Sequence, residues 1–586
     1  MTRPAPDKNK ALAFAGRHRL VGAIMLALFG GLVARASYLH VVDQEFLRKQ
    51  GDARMLRVEP IAAHRGILRD RNGLPLAVST PVVSIWVNPK EALREKLAAD
   101  KLAQALSLDI RWVQERLRKN SQREFLYLKR HLAPTDAEAV LAQGFPGVYG
   151  KTEYRRFYPE GEVTSHLLGF TNLDDEGQEG LELELDEKLR GVPGMKRVLR
   201  DLKGSKVKDV ALLRPARPGQ DVHLSFDART QYLAYRELAQ AIAQNGARAG
   251  TAVALDVETG EVLAMVNQPS YNPNNRKNLR PDEMRNRAVT DMFEPGSTMK
   301  PFTVAAALES GKYTSRSLFN TAPGTYTVYN KTIRDHENYG VIDMGTLITK
   351  SSNVASAQIA MSLPRETLPT FFSRLGFGKS TGSGFPGESA GRLQPPERWR
   401  PVEIATMSYG YGLTVTALQL AQAYATVAAG GVQRPVSFLK VAGPVAGKRV
   451  LDEKIARQLI PMMESVVTTD GTAIKAAVPG YRIAGKTGTA HKAQNGSYAA
   501  DQYMSTFVGM APASRPRVVL AVVVDSPSNG QYYGGLVSAP VFSRIMAETL
   551  RLMNVEPDRS AEHLAQQGQL PVAAGAGPGP RRRAGA

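Results

Sequence analysis

Glu294-Pro295-Gly296-Ser297-Thr298-Met299-Lys300-Pro301-Phe302 sets a hydroxyl and an amine three residues apart. Thr303-Val304-Ala305-Ala306-Ala307-Leu308-Glu309 follows, mostly good helix formers, and Gly311 closes the run as glycine commonly closes helices. The spacing predicts that Ser297 sits where a helix begins, with Lys300 one turn along on the same face. A serine alone is a poor nucleophile. It needs a base within hydrogen-bond reach and donors for the developing oxyanion. The free N–H groups and positive dipole end of a helix N-terminus meet the second need, and Lys300 meets the first. The stretch therefore reads as an acyl-transfer nucleophile. The pattern is short, however, and Ser205-Lys206-Val207-Lys208 and Ser437-Phe438-Leu439-Lys440 match it too, so the rest of the chain has to decide.

A chain of 586 residues, 43% of them hydrophobic, has room for two or more domains with full cores. A formal net charge of +20 fits nucleic acid as a partner. Yet the basic residues are spread out and stand beside acids, as in Arg69-Asp70-Arg71, with no nucleic-acid motif and no long basic stripe. Anionic lipid or cell wall fits the charge equally well. The absence of cysteine excludes disulfides, thiolate metal sites and a cysteine nucleophile. The histidines are scattered without metal-ligand spacing, and no Walker-type loop is present, so neither metal nor cofactor is expected.

Residues 1–19 are polar and basic and read as a cytoplasmic tail. Leu20 to Val33 is an unbroken apolar run, followed by Ala34-Arg35-Ala36 and then Ser37 to Val42. Two readings stand open. The run has the length of a signal-peptide core, and Ala34-Arg35-Ala36 has the small-x-small shape of a cleavage site. Alternatively, one helix over 20–42 would be about 34 Å long, enough to span a bilayer as an uncleaved anchor with Arg35 snorkelling at the outer interface. The anchor is preferred, and the basic residues ahead of it put the N-terminus in the cytoplasm in either case.

Residues 43–225 read as a mixed α/β module with no nucleophile–base pair. The signals there are a tight turn at Asp70-Arg71-Asn72-Gly73, a strand over 82–87, and helices over 91–106 and 135–142. Charged turns over 155–161 and 177–182 read as structural, and 203–209 as an exposed loop. From Asp221 the texture changes. Residues 226–557 carry a helix capped by Asp227, a strand hairpin over 251–256 and 261–266, and a helix over 414–429. They go on with a strand entering Lys486-Thr487-Gly488-Thr489, strands over 504–510 and 517–524, and a helix over 541–553. These strands make a five-stranded sheet with helices against it, an α/β arrangement. The tail, 558–586, is rich in Ala, Gly and Pro and reads as disordered.

Two more short motifs follow the serine helix. Ser351-Ser352-Asn353 precedes a helical run over 354–361, and Lys486-Thr487-Gly488 lies within the later strand. Ser270-Tyr271-Asn272 also fits the first of these but lies upstream of the nucleophile. In order, Ser297-x-x-Lys300, Ser351-x-Asn353 and Lys486-Thr487-Gly488 resemble the three-motif signature of penicillin-binding proteins and serine β-lactamases. The matches at Ser205, Ser270 and Ser437 fall outside that order. Arg65-Gly66 with Asp70-Arg71-Asn72-Gly73, Glu294 to Pro301, Gly410-Tyr411-Gly412 and Lys486 to Ala490 resemble a class B penicillin-binding protein of the cell-division FtsI type. No glycosyltransferase module precedes them, Asn353 stands where elongation-type relatives commonly carry Asp, and no repeat domain follows, which points to a Gram-negative inner membrane.

The resemblance implies a penicillin-binding/β-lactamase-like serine acyl-transferase domain: a five-stranded antiparallel sheet with a helical lobe, over 226–557. Ahead of it would stand a non-catalytic pedestal of the dimerisation type, 43–225, and a single transmembrane helix, 20–42. It implies that Ser297 forms an acyl ester with a peptidoglycan stem peptide, that Lys300 takes its proton, that Ser351 relays the proton to the leaving D-alanine, and that Asn353 holds the substrate amide. Lys486, Thr487, Gly488 and Thr489 would bind the donor end, with the N–H groups of Ser297 and Thr489 as the oxyanion hole. Desolvation and the charge of Lys486 would lower the Lys300 pKa. The implied activity is that of a serine-type D-Ala-D-Ala transpeptidase/carboxypeptidase that cross-links the division septum and is acylated by β-lactams. The implied partners are an FtsW-type glycosyltransferase and other divisome membrane proteins. Alternatives are an elongation-type transpeptidase, a β-lactamase, and a non-enzymatic scaffold or β-lactam sensor. The long 43–225 module argues against the β-lactamase, and three intact motifs argue against the scaffold.

Overall fold

The computed structural model describes residues 8–45, 55–200, 206–494 and 497–559; nearly all of the tail expected to be disordered, and Ser205, lie outside them. A helix, Lys8–Val41, opens the chain. It starts inside the basic segment read as a tail, because the Lys8–Ala15 stretch holds no helix breaker. Its Arg17–Val41 part has a mean hydropathy of 1.9, is unburied, and is long and apolar enough to cross a membrane.

Two compact units alternate along the chain. One holds residues up to 63 together with 83–153 and 192–218, and the other holds 64–82, 154–191 and 219 onward. The 43–225 segment read from the sequence as one module is thus shared between both units.

In the first unit, the end of the Pro75–Val87 strand pairs antiparallel with Leu126–Leu132. Helices Ala99–Ala105, Ile110–Lys119 and Pro134–Leu141 bury Leu102, Val113, Leu117 and Val140 against Ile85, Val87 and Leu128. The single helix expected over 91–106 is two, Pro89–Arg94 and Ala99–Ala105, parted where Lys96 takes a left-handed φ of +52°. A second sheet joins Leu56–Ile61, Gly194–Arg200 and Lys206–Arg214. Its last strand corrects the loop expected over 203–209 from 206 onward: Lys208 and Asp209 lie exposed on a strand rather than in a loop, and 203–205 lie outside the described residues.

The second unit is built on α1 (Ala228–Gln244), β1 (Ala249–Asp256), β2 (Val262–Gln268), α2 (Lys300–Glu309), α3 (Asn353–Ser362), α4 (Ala417–Ala428), β3 (Ala484–Gln494), β4 (Ser497–Ala511), β5 (Val518–Asp525) and α5 (Gly534–Leu552). The five strands form one antiparallel sheet in the order β2-β1-β5-β4-β3. Asp227 caps α1 as expected, accepting from Arg229 N–H at 2.9 Å. Every residue of β1, β2 and β5 is buried, because α1 and α5 cover one face of the sheet and α4 the other. Strands covered on both faces read as continuous apolar runs, which is how these appear in the sequence. Helix α5 begins well before the expected 541, since Gly534, Gly535 and Pro540 look like breakers. The two glycines are there for space: a Cβ would come within 2.2 Å of Thr506 O at Gly534 and within 2.0 Å of Thr472 O at Gly535.

The charged turns of this unit are structural, as read. Glu182 is wholly buried and accepts from Arg65 Nε at 2.9 Å and Arg156 Nε at 2.6 Å. Arg65 also reaches Asp186 at 2.7 Å, and Arg156 donates to Gly66 O at 2.8 Å. Glu182 thus bridges two buried guanidiniums, with Asp186 on the outer side of Arg65, and breaking such a pair is far more costly than never burying it. Glu182→Ala should destabilise the protein by about 3–5 kcal/mol, read as a lower urea midpoint of the full chain in detergent. An unchanged midpoint would deny the network that role.

Candidate active site

Gly296–Met299 forms a 3-10 turn that leads into α2, rather than the α-helical start expected at Ser297. Side chains three apart eclipse one another in a 3-10 turn. Ser297 and Lys300 are therefore stacked, with Lys300 Nζ 3.0 Å from Ser297 Oγ. The turn is seated on backbone. Gly296 has a φ of +56° and donates to Gly410 O at 3.1 Å, and a Cβ on Gly410 would stand 2.0 Å from Gly296 O. Thr298 Oγ1 donates to Pro295 O at 2.7 Å, and the buried Tyr424 hydroxyl of α4 donates to Thr298 O at 2.8 Å.

The second motif is a break between helices. Met344–Lys350 ends at Ser351, which takes the left-handed region at φ +61°, ψ +44°, and α3 starts at Asn353 with Ser352 as its N-cap. A non-glycine residue held there is strained. The break directs the Ser351 carbonyl and hydroxyl and the Asn353 side chain at one amine. Lys300 Nζ lies 3.0 Å from Ser351 Oγ and 2.8 Å from Asn353 Oδ1, and also bonds Ser351 O.

The third motif arrives on the edge strand β3. Lys486 Nζ donates to Ser351 Oγ at 3.0 Å and to Thr487 O at 3.2 Å. Gly488 lets the strand touch the serine turn, since a Cβ would stand 2.9 Å from Pro295 O and from Thr298 Cγ2. Thr487 Oγ1 shares a hydrogen bond with Thr472 at 2.8 Å, and Thr489 Oγ1 accepts from Gly534 N–H at 3.0 Å. All the site residues named from the sequence thus converge. The rival matches do not. Ser270 Oγ donates to Glu162 O at 2.7 Å, Ser437 Oγ to Leu439 O at 2.8 Å, and Lys440 Nζ to Arg71 O at 2.9 Å.

Both lysines are wholly buried. Burial first, then the charge of Lys486, pushes the Lys300 amine well below the usual lysine range, against a smaller opposing pull from Asp335. Burial brings Lys486 down to about 7. Two buried ammoniums flanking one hydroxyl do not both stay charged, and the charge of Lys486 favours the neutral form of Lys300. A neutral Lys300 amine beside Ser297 can take the serine proton. Among the described residues, no group of carboxylates and histidines is placed to hold a metal ion.

One residue of the site escaped sequence reading. Asp335 accepts from Ser352 Oγ at 2.6 Å, Asn353 N–H at 2.5 Å and Val354 N–H at 3.0 Å. Its carboxylate thus sits on the positive end of α3 and holds the turn that carries Ser351 and Asn353. The hairpin of Thr325–Val328 and Lys331–Arg334 delivers it, and no spacing in the sequence links Asp335 to that turn.

The family described as penicillin binding protein transpeptidase domain matches residues 250–547, and the penicillin-binding protein dimerisation domain matches residues 60–224. The chain belongs to the class B penicillin-binding proteins. It is 44% identical over 546 residues, 92% of either chain, to the peptidoglycan D,D-transpeptidase FtsI of Escherichia coli (strain K12). It is 44% identical over 533 residues, 91% of this chain and 94% of the relative, to the probable peptidoglycan D,D-transpeptidase PbpC of Pseudomonas aeruginosa. Among solved structures, the TP domain of Burkholderia pseudomallei penicillin-binding protein 3 is 44% identical, with a TM-score of 0.53, covering 57% of this chain and 98% of that one. A peptidoglycan synthetase from Bifidobacterium adolescentis is 25% identical, with a TM-score of 0.68, covering 86% of this chain and 98% of that one.

In this penicillin-binding protein, Asp335 holds the turn that carries Ser351 and Asn353. Asp335→Ala should slow acylation by a fluorescent penicillin about tenfold or more, the worth of a charge-assisted hydrogen bond. Asp335→Asn, which keeps an acceptor, should recover part of the loss. Equal acylation rates in all three proteins would remove Asp335 from the site.

Proposed function

We propose that the protein is a peptidoglycan D,D-transpeptidase that cross-links stem peptides of the division septum through an acyl-enzyme on Ser297. The observation that carries the reading is the buried Lys300 amine 3.0 Å from the partly exposed Ser297 hydroxyl. The FtsI name of the E. coli relative supports the septal role.

The chemistry follows from the geometry. Ser297 Oγ attacks the carbonyl between the last two D-alanines of a donor stem peptide while the neutral Lys300 amine takes its proton. The N–H groups of Ser297 and Thr489 are the proposed oxyanion hole. Ser351, whose hydroxyl is bonded by both lysine amines, passes the proton to the departing D-alanine. Asn353 holds the substrate amide. Lys486, with Thr487 and Thr489, receives the terminal carboxylate, and Gly488 keeps β3 close to the turn. The amine of a second stem peptide then displaces Ser297, and water in its place gives the carboxypeptidase product. A β-lactam enters the first half of the same sequence.

The apolar helix is the single-pass inner-membrane anchor. Arg17 and Arg19 ahead of the apolar run put the N-terminus in the cytoplasm and the catalytic domain in the periplasm. The domain division proposed is a pedestal over 43–225 and a transpeptidase domain over 226–557. The membrane partners proposed are an FtsW-type glycosyltransferase and other divisome proteins.

A fluorescent penicillin should label the protein one to one and leave slowly. Ser297→Ala should not label at all while melting at the same temperature; labelling of that variant would discard the nucleophile. Second-order acylation should rise with pH as Lys300 loses its proton and fall again from about 7 upward as Lys486 loses the charge that attracts the carboxylate. A profile flat across neutral and alkaline pH would contradict those roles. A fluorescent fusion should gather at midcell, and a side-wall distribution would point to elongation instead.

A further inference from the structure

Glu294 lies three residues before the nucleophile, and the mechanism above makes no use of it. Its Oε1 accepts from Gly412 N–H at 2.7 Å and from the Tyr498 hydroxyl at 3.3 Å. Its Oε2 is buried without a hydrogen-bond partner. No lysine or arginine pairs with it among the described residues. The groups around it are aromatic. Tyr411 and Tyr498 meet edge to face with ring centroids 5.6 Å apart, and Tyr409 stands 5.8 Å beyond Tyr411. Gly412 and Gly410 belong to the loop that seats Gly296, so this carboxylate is tied to the same backbone as the serine turn.

A carboxylate with a free oxygen, beside tyrosine rings and with no cation of its own, is built to receive a cation. The second half-reaction has one to supply, because the acceptor stem peptide brings a primary amine that is an ammonium at neutral pH. Burying an unpaired carboxylate oxygen is costly, and an arriving ammonium would repay that cost. We propose that Glu294, flanked by Tyr411 and Tyr498, is the docking site for the acceptor's ammonium group. The proposal rests on the transpeptidase reading. Tyr498 is half exposed and holds the carboxylate only by its longer bond.

The step balances. The docked ammonium gives one proton to Glu294, whose carboxyl is raised by burial and so accepts a proton more readily than an exposed one, and that proton leaves to solvent. The amine nitrogen then bonds the acyl carbon, the bond from that carbon to Ser297 Oγ breaks, and a second amine proton passes through Lys300 to Oγ. The product is the cross-linking amide and free enzyme.

The test reads partition, so that any change in acylation cancels. Full-length protein in detergent is acylated by a D-alanyl thioester donor, with a synthetic stem tripeptide bearing one free side-chain amine as acceptor. The ratio of aminolysis to hydrolysis is measured against acceptor concentration and pH. Glu294→Gln should lower that ratio about tenfold at limiting acceptor. It should also abolish the additional fall that the wild-type ratio shows towards acid pH as Glu294 is protonated, beyond the fall due to the amine itself. A residue that only holds the Gly412 loop would leave the pH dependence of the ratio unchanged, and that result would overturn the proposal. Tyr498→Leu keeps the carboxylate and tests the aromatic flank should Glu294→Gln not fold. It should lower the ratio about threefold, and an unchanged ratio would count against the site. If the wild-type protein forms no acyl-enzyme at all, the transpeptidase reading itself falls, and this inference with it.

Discussion

Two buried amines on either side of one hydroxyl set the terms for the rest of this molecule. Lys300 and Lys486 both bond Ser351 Oγ at 3.0 Å, and neither side chain is exposed. Taking one ammonium out of water is expensive, and bringing a second beside it more so. Burial and the charge of Lys486 both favour the neutral amine at Lys300, and a neutral lysine is what a serine nucleophile requires. The same burial that would be a defect elsewhere suits the base proposed here.

Holding that arrangement calls for close backbone contacts, which explains several residues without chemistry of their own. Gly410 exists so that the Gly410-Tyr411-Gly412 loop can lie on Gly296, and Gly488 so that the edge strand can lie on Pro295 and Thr298. Ser351 accepts a left-handed conformation that its side chain disfavours, and the price is offset by the helix termini on either side of it. Asp335 secures the second of those termini through three hydrogen bonds. The buried Arg65–Glu182–Arg156 cluster serves the same unit as structure rather than catalysis, a hydrogen-bonded ionic group whose members cannot be removed singly.

The site is also asymmetric in what it offers two substrates. The donor side proposed above is rich in groups able to bind an amide and a carboxylate: Asn353, Lys486 and the hydroxyls of β3. A carboxylate among tyrosines, Glu294 with Tyr411 and Tyr498, stands on the loop side of the serine turn. An acyl-enzyme that must choose an amine over water gains from a pocket of that character, since water has no charge to be attracted.

Much of this was legible in the residues. Three ordered motifs named Ser297, Lys300, Ser351, Asn353 and Lys486 to Thr489, because reaction chemistry restricts residue type and local spacing. The buried strands and the Asp227 cap were legible because burial on both faces and capping leave local patterns. The misreadings were local signals overruled by packing. Gly534, Gly535 and Pro540 looked like breakers but lie in α5, where the lack of a side chain lets the helix start press on Thr506 and Thr472. Lys208 and Asp209 looked like part of a loop but lie exposed on a strand. The 3-10 geometry of the serine turn, the left-handed Ser351, and the contacts of Asp335 and Glu294 were decided only in three dimensions. Sequence spacing reports neighbours within a few residues. The distance from Asp335 to Asn353, or from Glu294 to Gly412 and Tyr498, is set by how separate segments pack, and no local pattern encodes it.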